Sequence, residues 1–95
     1  MFLESGRNRE NLNQLLQHRN QQVIINWYED EMLYKRDGFF FTELLHKSKQ
    51  LVFMKGCVEL LSLLLPDEIE VSSDFRNFYK LSETSTKVIQ IYFPY

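Results

Sequence analysis

The chain holds a single cysteine, Cys57, so no disulfide can close within it, and a reducing compartment is its natural setting. Structural punctuation is sparse, with two prolines and three glycines among 95 residues, and neither type occurs between Arg7 and Asp37. Long hydrophobic runs are missing too. The longest, Leu60 to Leu65, is interrupted by Ser62 and is far too short to span a bilayer. The opening MFLESGRNRE lacks the apolar region of a signal peptide. A soluble, cytoplasmic protein with no membrane partner is therefore expected. Positive charge is not in excess, since 11 Lys and Arg stand against 13 Asp and Glu for a net charge of −2. That balance argues against nonspecific nucleic-acid binding as the main task, which rests on neutralising phosphates.

Catalytic and metal-binding signatures are absent as well. His18 and His46 are the only histidines, and neither has a Cys, His, Asp or Glu at metal-ligand spacing. No CxxC, HExxH, GxGxxG, P-loop or GxSxG pattern occurs. Cys57, His46 and Asp67 supply the residue types of a nucleophile, base and orienter, but nothing in their spacing brings them together. Cys57, between Gly56 and Val58, reads as a small buried apolar residue, and the two histidines as solvated or edge residues. The expectation is a non-enzyme with no cofactor, no metal and no catalytic residues.

What the chain does have is apolar and aromatic weight: 44% hydrophobic residues, with eight Phe, five Tyr and one Trp. That is enough to fold a single domain over 1–95. Three stretches divide it: a tail and helix at 1–22, a meander at 23–71, and a loop with a final strand at 72–95. In residues 8–22 eight of fifteen are Asn or Gln, and Leu12, Leu15, Leu16 and Arg19 fall on one helical stripe, with Asn8 as its N-cap. From Val23 the composition turns to strand. Val23, Ile25 and Trp27 are to face one way, with Ile24, Asn26 and Tyr28 facing the other.

Glu29-Asp30-Glu31, His46-Lys47-Ser48-Lys49 and Lys55-Gly56 read as turns between strands, and Gly38 as a bend or bulge in a curved second strand. Leu51 to Lys55 is then the third strand, and Pro66-Asp67 a turn before a strand at Glu68 to Val71. Residues 72–86 read as a polar loop with embedded aromatics and room for one short element. Lys87 to Phe93 is the clearest strand, with Ile89, Ile91 and Phe93 on one face and Val88, Gln90 and Tyr92 on the other. The fold class expected is α+β: an N-terminal helix, then a small, strongly bent antiparallel sheet or barrel with an extra C-terminal strand. The alternative is two long helices and a C-terminal hairpin. One helix would be closed by Lys35-Arg36-Asp37-Gly38, the other would start near Thr42 and stop at Pro66.

The run Val23-x-Ile25-x-Trp27-Tyr28-x-Asp30, with Gly38 following, resembles the start of an Sm-like barrel. More closely it is similar to the small YolD-like proteins of Gram-positive bacteria and their mobile elements. Those have a helical segment, a V-x-I-x-Y-Y strand, a Gly-centred second strand, a third strand and a closing I-[DE]-[VI], matched here by Ile69-Glu70-Val71. The likeness covers roughly residues 10–72. The chain departs from the pattern in lacking a glycine in the first turn and a proline-containing N-terminal segment. The resemblance implies a small binding or accessory protein, in a family tied to DNA-damage-response loci, with no catalytic residues to carry over.

Adjacent aromatics cannot all point inward from a strand. Trp27, Tyr28, Phe39, Phe41 and Tyr92 are therefore candidates for a partner interface. The leading expectation is an interaction protein working by protein–protein contact, as a possible homo-oligomer, with Lys87–Phe93 adding to an exposed sheet edge. A second is a nucleic-acid-binding module using Lys47, Lys49 and Lys55, in a stretch with no acidic residue between Glu43 and Glu59. A third is an inhibitor of phage-like character that presents Glu29–Glu31 to a basic groove. Solvated turns are the plainer account of that acidic cluster and of Asp67-Glu68, as edge protection is for the lysines.

Overall fold

The computed structural model describes the backbone of residues 2–65, 70–74 and 77–94, and the side chains of residues 9–65 and 77–94. One helix, α1 (Phe2–Leu15), precedes eight strands. They are β1 (Gln21–Glu29), β2 (Met32–Phe41), β3 (Glu43–Lys47), β4 (Gln50–Lys55), β5 (Val58–Leu64), β6 (Glu70–Asp74), β7 (Phe78–Ser82) and β8 (Lys87–Tyr92). They form a five-stranded sheet in the order β2-β1-β8-β7-β6 and a three-stranded sheet in the order β3-β4-β5, antiparallel throughout. The class is thus mostly β with one short helix. Strands occupy 21–64, so the long-helix alternative does not form, and the described strands close no barrel.

The helix ends sooner than its polar stripe predicts. Past Leu15 the amides of Gln17 and His18 bond three residues back, to Gln14 and Leu15, tightening the last turn. Asn20, at φ 54°, then swings the chain into β1. Leu12, Leu15 and Leu16 reach the core, whereas Arg19 is exposed beyond the helix and Asn8 lies inside it rather than capping its start.

Tight turns explain the antiparallel order. Asp30-Glu31 and Ser48-Lys49 each join two strands with both residues in the left-handed region (φ 53° to 64°), the type I′ geometry whose twist suits a hairpin. Gly56, at φ 62°, leads the turn into β5. Gly38 is ordinary extended strand opposite Ile24, and the bulge falls between Trp27 and Tyr28 instead. The bend of the second strand lies at Thr42, where the chain leaves one sheet for the other. Thr42 N donates to Met54 O at 2.7 Å, and Thr42 O accepts from Asn20 N at 3.0 Å. Thr42 Oγ1 donates to Met54 O at 3.1 Å and accepts from Gly56 N at 2.9 Å. One residue thus ties together the start of β1, the end of β4 and the β4–β5 turn.

The region read as a polar loop with one short element, 72–86, holds the end of β6, all of β7 and the turn into β8. Tyr79 and Leu81 alternate inward between exposed or half-buried neighbours, a short strand hidden among polar residues. Thr84 Oγ1 accepts from the amides of Thr86 and Lys87, at 3.2 and 3.0 Å, which makes SETST a side-chain-held turn. The expected turn at Pro66-Asp67, the acidic pair Asp67-Glu68 and the residues Glu68-Ile69 lie outside the described residues. Glu70 and Val71 open β6.

A single cluster joins the inner faces of both sheets, with Val23, Ile25, Phe41, Tyr79, Leu81, Ile91 and Phe93 from one and Leu44, Leu51, Phe53 and Leu63 from the other. Rings link it. Phe53 meets Phe39 and Phe41 edge-on at 5.5 and 5.4 Å, and Phe93 meets Phe41 and Tyr79 at 5.8 and 6.0 Å. Much of the aromatic excess is therefore core.

Candidate functional site

The five proposed interface aromatics divide by strand face. Trp27 and Phe41 are buried and Phe39 packs on the core, so these three are not available to a partner. The cause is that β1 and β2 turn their odd-numbered side chains toward β3–β5. Trp27, near the end of that cover, is capped by Lys35, whose Nζ stands 4.7 Å from the ring centroid. Tyr28 and Tyr92 do face outward, half-buried and exposed respectively. Phe40 and Phe78, not singled out from sequence, share that face. Alternation from Phe41 and Tyr79 is the signal that would have found them.

The proposed edge role of Lys87–Phe93 is overturned, because β8 is paired on both sides, with β1 and β7. The three lysines are exposed but do not form one patch. Lys47 and Lys49 sit at the β3–β4 turn, while Lys55 ends β4, about 20 Å away along an extended strand. Glu29, Asp30 and Glu31 are exposed at the β1–β2 turn, followed by exposed Met32, Leu33 and Tyr34.

Cys57 is exposed in the β4–β5 turn, not buried, because the tight turn at Gly56 carries it out past the sheet end. His46 pairs with Leu51 toward the other end of β4, so the two cannot act together, and Asp67 lies outside the described residues. His18 is also not the solvated residue expected. Its ring stacks on Phe93 at 3.9 Å, with Nδ1 donating to Gln21 Oε1 at 2.9 Å and Nε2 lying 3.1 Å from the Tyr79 hydroxyl. Half-buried, it follows the end of α1 and packs against Phe93 and Tyr79. Among the described residues no group of three or more His, Cys, Asp and Glu could hold a metal ion. No described helix is long and apolar enough to cross a membrane.

Four of the described strands end a sheet, β2, β3, β5 and β6, and the most apolar of them is β5. It ends its sheet, and among the described residues no strand lies along its outer side. Leu61 and Leu63 turn inward and Leu64 faces out; Leu60 is bulged, Glu59 stands opposite Met54 and Val58 opposite Lys55, and Val58, Leu60 and Leu64 are 61%, 38% and 61% exposed. Leu45 and Met54 on β3 and β4 are half-buried on the same outer face, around buried Val52. Glu59 is the only charge in the strand. Of the other three, β2 differs in carrying Lys35, Arg36 and Asp37 at its centre, the kind of charged edge that resists pairing. No known family model, curated protein or solved structure matches the chain.

Proposed function

We propose that this chain is a small, non-enzymatic, cytoplasmic interaction protein acting by protein–protein contact, and that its contact element is β5, taken by β5 of a second copy. The observation that carries the reading is an edge strand, with no neighbour along one side among the described residues, that leaves Val58, Leu60 and Leu64 exposed. Such an edge offers a row of backbone donors and acceptors together with hydrophobic area, and natural proteins seldom leave one uncovered. Antiparallel pairing centred on Ser62 is self-complementary: Leu60 falls opposite Leu64 of the second copy, and the two Glu59 carboxylates stay apart. The exposed Cys57 fits a reducing compartment, in which a surface thiol persists.

The YolD-like resemblance belongs to the same proposal, and the mobile-element origin rests on it alone. It is supported by the order of elements, from α1 through the V-x-I strand and the long second strand bent at Thr42 to β4 and β5. Sedimentation equilibrium tests the interaction reading. The wild-type chain is expected to sediment as a dimer, and Leu60→Lys and Leu64→Lys as monomers with unchanged circular dichroism. A wild type that is monomeric throughout the micromolar range, or variants that keep the dimer mass, would refute it.

A further inference from the structure

The outer face of the five-stranded sheet, turned away from β3–β5, carries side chains that a merely solvated sheet has no need of. Strand register sets Ile24, Tyr92 and Phe78 in one row across β1, β8 and β7, and Asn26, Gln90 and Lys80 in the next. On the β2 side, Phe40 stands opposite Gln22, Gly38 opposite Ile24, and Arg36 opposite Asn26. Four rings therefore share the face, those of Tyr28, Phe40, Phe78 and Tyr92. Phe40 is 43% and Tyr92 37% exposed, and the Phe78 and Tyr92 centroids lie 6.4 Å apart. Arg36 and Lys80 lie among them, with the Arg36 Nε donating to Asn26 Oδ1 at 2.8 Å so that the guanidinium is held across the sheet. At the outward positions of β1, β2, β7 and β8 there is no carboxylate; the acidic register positions on this side are confined to the β6 edge, with Glu70 opposite Ser82 and Asp74 opposite Phe78.

Gly38 adds a separate observation. Its φ is not in the left-handed region, and a Cβ there would meet only Val23 O at 3.6 Å and Ile24 Cγ1 at 3.9 Å, both ordinary contacts. Folding does not require glycine at this point, and glycine inside a strand weakens it. What its missing side chain provides is a recess between Phe40 and Arg36. At the other end of the face, a cavity of about 180 Å³ is lined by Tyr28, Lys80, Val88, Gln90 and Thr86, together with Glu31. Glu31 is the single carboxylate there, an acceptor suited to the amino group of a base rather than to a phosphate.

We infer that this face binds single-stranded nucleic acid. Bases stack on Phe40, Tyr92, Phe78 and Tyr28, the phosphates pass Arg36 and Lys80, and the backbone of the strand approaches at Gly38. The site lies on a different sheet from β5, so it stands or falls independently of self-association.

Fluorescence anisotropy with labelled single strands of about 12 nucleotides tests it. With two phosphates neutralised, affinity should fall about sevenfold between about 50 and 200 mM salt, a log–log slope near −1.4. Arg36→Gln and Lys80→Gln should each reduce that slope by about 0.7. Tyr92→Ala should weaken binding about fivefold or more. Gly38→Val should weaken it while the melting temperature holds or rises, which separates binding from folding. Absence of binding at low salt, equal affinity for duplex, or a slope unchanged in Arg36→Gln and Lys80→Gln would overturn the inference. Tyr92→Ala altering only the oligomeric mass would also overturn it, by making the face a protein contact.

Discussion

Replacing Thr42 by valine isolates the corner on which the two-sheet arrangement turns. Valine keeps the β-branched shape and the backbone bonds from Thr42 N to Met54 O and from Asn20 N to Thr42 O. It removes only the hydroxyl, which donates to Met54 O at 3.1 Å and accepts from Gly56 N at 2.9 Å. Each such bond is worth about 0.5–1.5 kcal/mol net. Thr42 is half-buried and water can reach the Gly56 amide, so the pair together should contribute about 1–2 kcal/mol. For a domain of this size that is a fall of roughly 4–16 °C in melting temperature. Thr42→Ser, which keeps the hydroxyl, should fall clearly less. Thermal unfolding followed by circular dichroism reads both. A Thr42→Val protein that melts with the wild type, or a Thr42→Ser protein that falls as far as Thr42→Val, would show that the corner is held by backbone pairing alone.

Other expectations are more local. Phe53→Ala removes the ring on which Phe39 and Phe41 converge and should lower stability by about 3–5 kcal/mol, read from the denaturant midpoint; a loss below about 1 kcal/mol would contradict the core assignment. Glu31→Gly and Lys49→Gly relieve left-handed conformations at φ 64° and 61°. Each should stabilise by about 0.5–1 kcal/mol, and a lower melting temperature in both would count against type I′ turns. Lys35→Ala uncovers the Trp27 ring, so the lone tryptophan's emission should shift red and stability fall by about 0.5–1 kcal/mol; unchanged emission would deny the contact.

The strands that were legible in the sequence are those whose alternation is unbroken. Val23, Ile25 and Trp27, and then Ile89, Ile91 and Phe93, face inward as their period demands. The β6–β7 hairpin was legible only in part, as a strand ending at Val71 and one short element beyond it, because in β7 only Tyr79 and Leu81 mark the inner face and polar residues surround them. Pairing partners were a larger gap. Nothing local to Lys87–Phe93 reveals that β1 and β7 will flank it, so the clearest strand was read as an edge although it is interior. The same limit applied to the aromatics. Opposite faces for Trp27 and Tyr28 follow from a period of two, but which face is covered depends on where Thr42 sends the chain. Cys57 and His18 were misread for a related reason. Exposure of the one and stacking of the other on Phe93 depend on a turn and on a contact 75 positions away in sequence.

Hydrogen exchange at the β5 amides, followed by NMR as a function of protein concentration, tests the proposed self-association most directly. If β5 pairs with β5 of a second copy, the edge amides between Val58 and Leu64 should become more protected as concentration rises, and Leu64→Lys should abolish the change. Edge amides that exchange at the rate of unpaired backbone at every concentration would contradict the account.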